Sequence, residues 1–74
     1  MSATYKKLLD EWRAAADQSR KAQQTLKEGF EAYLEGRGPE PTREMVDHAQ
    51  SLRETERQKL EAAMEYVRRT ALRG

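Results

Sequence analysis

The sequence carries a stripe of apolar and small residues at helical spacing, and this stripe is broken once, by Gly-Arg-Gly-Pro-Glu-Pro at residues 36–41. Steps of three and four residues between apolar positions are typical of one face of an α-helix. The pattern therefore predicts an all-α antiparallel two-helix hairpin that spans residues 1–74, with helices over about 3–35 and 43–72. The stripe consists of Tyr5, Leu8, Trp12, Ala15, Ser19, Ala22, Leu26, Gly29 and Tyr33 before the break, and Met45, Ala49, Leu52, Glu56, Leu60, Ala63, Val67 and Ala71 after it.

The residues of the break are those that end one helix and start another. Pro39 and Pro41 lack a backbone N–H and restrict the preceding residue, so neither helix continues through them. Gly36 is expected to take the left-handed conformation that closes a helix. Thr42 is the predicted N-cap of the second helix.

Folding the chain at Gly38 predicts which residues face each other across the hairpin. Contacting residue numbers should sum to about 76–79, which pairs Ser19 with Leu60 and places Gly29 opposite Ala49. Ala15, Ser19 and Ala22 are small, so we expect the two backbones to approach closely there. The remaining expected pairs are Tyr33 with Met45, Leu26 with Leu52, Ala15 with Ala63 or Met64, and Trp12 with Val67.

The stripe is wider than one helix–helix contact requires. Leu9, Ala16, Phe30 and Leu34 widen it on the first helix, and Val46, Met64 and Ala71 widen it on the second. Three or four apolar positions per two turns are typical of helical bundles. We therefore expect two hairpins to pair as a homodimeric, coiled-coil-like four-helix bundle, with a different helical protein as the alternative partner. The predicted helix–helix or dimer interface comprises Leu8, Trp12, Leu26, Phe30, Tyr33, Met45, Leu52, Leu60 and Val67.

The charges are unevenly distributed, although the formal net charge is only +1. Residues 1–14 together with 65–74 form a terminal end of net charge +3, whereas residues 27–47 form a turn end of net charge −3. Opposite ends would match if two hairpins lay head to tail. Because exposed ion pairs are worth only ~0.2–1 kcal/mol each, these charges are expected to bias orientation without driving assembly.

No group of residues indicates catalysis, a metal or a cofactor. His48 is the single histidine, and Glu44, one turn earlier, shares its helix face. Two candidate ligands from one helix are a weak metal signal, and no glycine-rich phosphate loop or nucleophile motif is present. Glu56 interrupts the second stripe, where it either fixes register as a buried polar residue or turns outward; we favour the outward position. We expect a protein that is not an enzyme and binds no cofactor.

The composition limits where the protein is expected to act and what it is expected to bind. There is no cysteine, which fits the cytoplasm, and no apolar run approaches the roughly 18 residues of a membrane helix, so we expect no membrane association. The function expected from the wide stripes is protein–protein interaction, as a self-associating adaptor, co-chaperone or assembly subunit. In length and proline-bearing turn the hairpin is similar to the small two-helix proteins that serve bacterial secretion systems as co-chaperones or needle subunits; no family motif accompanies this likeness.

A nucleic-acid-binding regulator is the alternative function. It would use the basic residues of the terminal end, which acidic residues interrupt and which no recognition motif accompanies, so nucleic-acid binding is disfavoured. The residues that would contact phosphate are Lys6, Lys7, Arg68, Arg69 and Arg73.

Overall fold

Two long helices pack against each other along their length. The computed structural model describes residues 3–72, in which α1 runs over Ala3–Leu34 and α2 over Arg43–Leu72. The described part of the chain contains no strand and measures 58 × 17 × 14 Å, so it is a rod about two helices thick. The prediction of an all-α chain with two helices packed against each other is confirmed.

The turn uses the residues that the sequence indicates. Gly36 has φ +75° and ends α1, with its N–H donating to the Tyr33 carbonyl at 3.0 Å. The Arg37 N–H donates to the Ala32 carbonyl at 2.7 Å. These two bonds form a Schellman motif, which requires a left-handed residue that glycine adopts without a Cβ clash. At the start of α2, Thr42 Oγ1 accepts the Met45 N–H at 3.2 Å, so the predicted N-cap is also confirmed.

Beyond Gly36, the chain turns back at once and runs beside α1. A Cβ placed on Gly38 would lie 3.5 Å from Ala32 Cβ, and one placed on Gly29 would lie 3.4 Å from Pro41 Cγ. The last turns of α1 are therefore covered by residues 37–42, which we call the return segment. Extended chain advances about 3.3 Å per residue and a helix only about 1.5 Å, so this segment carries α2 well back along α1 before α2 begins.

The return segment changes the pairing of the helices from the one expected. The Tyr5 and Tyr66 rings stack with centroids 6.0 Å apart, and Lys59 Nζ lies 3.7 Å from Glu11 Oε2. The residue numbers of these pairs sum to 71 and 70, instead of the expected 76–79. The predicted pairing was wrong by about one heptad, because a fold at Gly38 treats the turn as if it rose like a helix. Gly29 accordingly meets Pro41 instead of Ala49.

The core between the helices is thin and consists of small residues. Ser19 is fully buried, and Ala49 and Ala63 are each 3% exposed. Ser19 Oγ accepts a hydrogen bond from Gln23 Nε2 at 2.9 Å, which satisfies the buried hydroxyl from its own helix. Of the three small residues expected where the backbones approach closely, Ser19 is fully buried, whereas Ala15 and Ala22 are partly buried.

Candidate interaction surface

The line of contact between α1 and α2, which we call the seam, divides the surface of the rod into two flanks. On one flank, Phe30 and Gln23 of α1 line a shallow depression with Val46 and Arg53 of α2. Residues seven apart on a helix lie on the same face, so this flank continues along the rod at heptad steps from these positions. We call it the apolar flank; it comprises Leu9, Ala16, Gln23 and Phe30 on α1 and Val46, Arg53, Leu60 and Val67 on α2.

Large apolar side chains of the apolar flank remain open to solvent. Phe30 is 39% exposed, Leu60 37% and Val67 43%, and Met64, beside Leu60, is 52% exposed. Leu34, one turn beyond Phe30, is 80% exposed. The widening that the sequence shows on both helices therefore falls on the same side of the hairpin. A contiguous exposed apolar strip on a small protein marks an interaction site or an aggregation liability.

The other flank, which we call the polar flank, has a different chemistry. Its depression has an apolar floor along the seam and a polar rim. The floor is lined by Ala22, Leu26, Met45 and Leu52, and the rim by Gln18, Lys21, Thr25 and His48. Glu11 and Lys59 form the only ion pair between the helices within residues 3–72. They lie one heptad from Gln18 and Leu52 respectively, and therefore on this flank. This ion pair bridges the seam here, and Met45, which lines the depression, is 38% exposed.

The predicted interface residues divide into two groups. One group is partly buried along the seam, where it contributes to holding the two helices together. The other group is more than a third exposed and is available for a partner. The first group is Leu8, Trp12, Leu26 and Leu52; the second is Phe30, Tyr33, Met45, Leu60 and Val67.

The sequence pattern indicates the apolar residues of this flank, but not Gln23 and Arg53, and does not identify them as one surface. Leu9, Ala16 and Val46 were read only as widening the stripes, since the side on which they lie depends on how the helices pair. Leu9 and Ala16 lie at heptad steps from Phe30, and this spacing was the signal available on α1. The structure adds that the depression at Phe30 and Val46 joins both sets on one flank.

The basic residues considered for nucleic acid do not form a free cluster. Lys6 and Lys7 are exposed in the first turns of α1. Arg68 and Arg69 both donate hydrogen bonds to the Glu65 carboxylate, at 2.8 and 3.5 Å, which partly neutralises them. Arg73 lies outside the described residues. This arrangement offers few unshared cations to a phosphate backbone.

Polar chemistry elsewhere is that of exposed helix faces. Hydrogen bonds from Lys21 and then Arg20 lower the pKa of Asp17. The Arg57 guanidinium lowers the pKa of Glu54, and Glu54 in turn raises the pKa of Arg57. The first set lies on the surface of α1 and the second on the surface of α2, and such pairs within a helix stabilise it modestly.

Three polar residues lie apart from these pairs and differ in burial. Glu56 is partly buried, beside Arg53 and Leu60, so it is neither fully outward nor a buried core residue. Trp12 Nε1 is buried and has no hydrogen-bond partner within residues 3–72, which costs stability at the seam. His48 stands on the polar flank, and residues 3–72 contain no group of three or more His, Cys, Asp or Glu side chains placed to hold a metal.

No protein-family model matches the chain, and comparison with curated proteins and with solved structures finds no match. In the part of the chain that the structure describes, neither helix has an apolar stretch of the length needed to cross a membrane. Any functional inference therefore rests on the surface chemistry of the hairpin.

Proposed function

We propose that this chain is a small non-enzymatic helical protein that acts through protein–protein interaction, and that the apolar flank is its binding surface. The observation that supports this most directly is the exposure of Phe30, Leu60 and Val67 along one flank. The first partner is a second copy of the chain, which gives a homodimeric four-helix bundle. The corresponding roles are those of an adaptor, a co-chaperone or an assembly subunit, and the absence of cysteine fits a reducing compartment such as the cytoplasm.

The energetic reason for self-association is the imbalance between the seam and the apolar flank. The residues buried within one hairpin are a serine and two alanines, which bury little apolar area. Covering large side chains on the flank is favourable by about 25 cal/mol per Å² of apolar surface removed from water. A second hairpin offers the same surface in return, and twofold pairing is the commonest symmetry of small oligomers.

The nucleic-acid-binding alternative has weaker support. Its candidate contacts Arg68 and Arg69 share the carboxylate of Glu65, and the apolar flank has no use in phosphate binding. Binding driven by phosphate contacts falls steeply with salt. We expect only weak binding to duplex or single-stranded nucleic acid, lost at moderate salt.

Sedimentation equilibrium with matched variants tests the proposed surface. Phe30→Glu puts a charge on the apolar flank, and Thr25→Glu puts the same charge on an exposed position of the polar flank of the same helix. We expect a dimer for the wild type and for Thr25→Glu. Phe30→Glu should dissociate the dimer and lower its helicity together, because the hairpin alone has a thin core.

A fully helical wild-type monomer at high concentration would contradict self-association and leave the flank to a different protein. Equal dissociation by both glutamate variants would contradict the assignment of the flank. Sequence-selective nucleic-acid binding at physiological salt that is lost in Arg68→Ala/Arg69→Ala would instead support the regulator.

A further inference from the structure

Arginine and lysine side chains border the apolar flank on both helices. Residues three apart are neighbours on the surface of a helix. On α1, the residue three places before every flank residue is basic, and on α2 the corresponding row and the flank itself carry three arginines. All of these cations are exposed, and neither the two rows nor the flank contain a carboxylate. We call them the basic border, which is formed by Lys6, Arg13, Arg20 and Lys27 on α1 and by Arg43, Arg53 and Arg57 on α2.

The depression at Phe30 places the basic border and the apolar side chains in one groove. At its floor lies the seam, where Ala49 is only 3% exposed. Phe30 lines the depression from α1 and Val46 from α2, and the cations Lys27 and Arg53 line it from the same two helices. A ligand seated between the helices would therefore contact apolar surface in its middle and a cation on either side.

Part of the basic border is not neutralised by carboxylates of the chain itself. Lys6, Arg13 and Arg53 form no ion pair within residues 3–72. The other members pair with carboxylates one row further out on their own helices, and such exposed pairs are weak enough to accept a further carboxylate. These pairs are Arg20 with Asp17, Lys27 with Glu31, Arg43 with Asp47, and Arg57 with Glu54 and Glu61.

A second copy of the chain returns the same cations together with the same apolar surface. If its turn lies at the opposite end of the rod, α1 packs on α1 and the basic row of α1 meets itself. If its turn lies at the same end, that row meets the row of α2, which holds arginines, a glutamine and a methionine. Neither orientation places a carboxylate of the flank or of its bordering rows against the basic border. Because like charges oppose association, a surface that is apolar and acidic complements the flank better than a second copy does.

From this combination we infer that the apolar flank binds an amphipathic helix of another protein, whose apolar stripe is bordered by aspartate and glutamate, and that this helix displaces the second copy. The inference rests on the proposed use of the apolar flank as the binding surface. Flank residues recur every seven residues, or about 10.5 Å, which is also the repeat of apolar anchors on a helix that lies along the groove. Leu9 and Phe30 are about 32 Å apart along α1, so such a helix would have about six turns.

The polar residues within the flank favour a helical partner over a lipid surface. Gln23 and Arg53 stand among the apolar flank residues and line the same depression as Phe30. A helix on a membrane surface buries its apolar face at the acyl boundary, where an arginine in the middle of that face opposes insertion. A partner helix can instead place a carboxylate against Arg53 while its apolar side chains enter the depression.

Designed helical peptides with one common apolar stripe test the inference. The glutamate peptide carries glutamate on both borders of the stripe, the lysine peptide carries lysine there, and the glutamine peptide carries glutamine. Fluorescence anisotropy of the labelled peptides measures their binding to the wild-type chain. At low salt, the glutamate peptide should bind about tenfold or more tightly than the lysine peptide, with the glutamine peptide between them. The difference should shrink as salt rises.

Charge reversal in the basic border provides the matched variants. Arg13→Glu/Arg53→Glu should bind the glutamate peptide about tenfold or more weakly and the lysine peptide more tightly, and the gain shows that the variant is folded. Lys7→Glu/Lys21→Glu reverses two exposed charges of α1 outside the flank and its border, so it should bind all three peptides as the wild type does. Circular dichroism follows the helicity of each variant. Arg13→Gln/Arg53→Gln repeats the test without added charge and should reduce the preference for the glutamate peptide.

Salt dependence separates this inference from the proposed self-association. The wild-type dimer should tighten as salt screens its like charges, whereas the complex with the glutamate peptide should weaken. Sedimentation equilibrium at low salt should show that the glutamate peptide replaces the dimer with a complex of one hairpin and one peptide. A dimer that this peptide does not displace, or equal binding of the glutamate and lysine peptides, overturns the inference and leaves the proposed self-association intact.

The remaining outcomes also decide between the two hypotheses. A monomeric wild type that binds the glutamate peptide contradicts self-association and supports the inference, whereas a monomer that binds no peptide overturns both. Vesicles that contain phosphatidylglycerol test the lipid surface. If they bind the wild type more strongly than the glutamate peptide does, and Arg13→Glu/Arg53→Glu abolishes this binding, the inference is overturned in favour of a membrane surface.

Discussion

The two flanks of the hairpin are formed by the same two helices but differ in the side chains that they present. On the polar flank, Glu11 and Lys59 bridge the seam. On the apolar flank, Phe30, Leu60 and Val67 stand open to solvent, and no element within residues 3–72 covers them. A two-helix hairpin has only one internal contact, so apolar surface beyond that contact must face outward. The side on which it collects identifies the surface that a partner would cover.

The two flanks are separate only if the seam lies between them. Truncation of leucines on the seam tests its position, and it should give the largest loss of stability among the variants proposed. Leu26→Ala and Leu52→Ala should each lower the free energy of unfolding by about 2 kcal/mol, at the low end of the range for buried leucines, because both side chains are only partly buried. The exposed controls Lys21→Ala and Gln58→Ala should stay within ~0.5 kcal/mol. Similar losses for all four variants in urea unfolding would mean that the seam is misplaced.

The pairing of α1 with α2 depends on the turn. Alanine substitutions at one glycine of the turn and one glycine that packs against it should change the stability in opposite directions. Gly36→Ala should destabilise by about 1 kcal/mol, because Gly36 has φ +75°. Gly29→Ala should stabilise by up to about 1 kcal/mol through helix propensity, since the added Cβ would make an ordinary 3.4 Å contact with Pro41. Thermal unfolding of both variants measures the difference, and a loss at Gly29 would show that α1 and the return segment are packed more tightly there.

The ion pair of the polar flank should contribute less to stability than the seam leucines or the two glycines. Glu11→Gln removes the partner of Lys59, and because both side chains are more than a third exposed, we expect a loss of at most ~0.5 kcal/mol that vanishes at high salt. A double-mutant cycle with Lys59→Met isolates the coupling. A coupling above 1 kcal/mol would indicate that the polar flank contributes to fixing register.

The smallest expected effect is a loss of stability at low pH. Asp17 and Glu54 have lowered pKa values in the folded chain, owing to Lys21 and Arg57 respectively. The stabilisation they give is therefore complete above the ordinary carboxyl range, about pH 4, and is lost as pH falls through the lower folded values. Helicity followed by circular dichroism should fall in that window, and Asp17→Asn should reduce the fall slightly. An unchanged acid transition in Asp17→Asn/Glu54→Gln would show that these pairs are energetically silent.

The sequence predicts the helices, the left-handed Gly36 and the Thr42 cap, because each depends on residues close together in the chain. It does not predict the pairing of α1 with α2, because that depends on how far the return segment travels per residue. The error of one heptad follows from this single quantity. The degree of burial of polar residues in the stripes is also not fixed by the pattern: Glu56, for which the outward position is favoured, is partly buried, whereas Ser19, predicted on the seam, is fully buried.

The thin core has a consequence for the heat capacity of unfolding. Folded domains gain about 12–15 cal/mol/K per residue when they unfold, because apolar surface becomes hydrated. Within residues 3–72 the buried residues are Ser19, Ala49 and Ala63, and the larger apolar side chains along the seam are only partly buried. The hairpin as a separate unit should therefore expose less new apolar surface per residue than a globular domain, and should melt more broadly, with a flatter stability curve. A steep, concentration-dependent melting transition would then report the apolar surface buried between chains, and calorimetry at several protein concentrations would divide the heat capacity between folding and assembly.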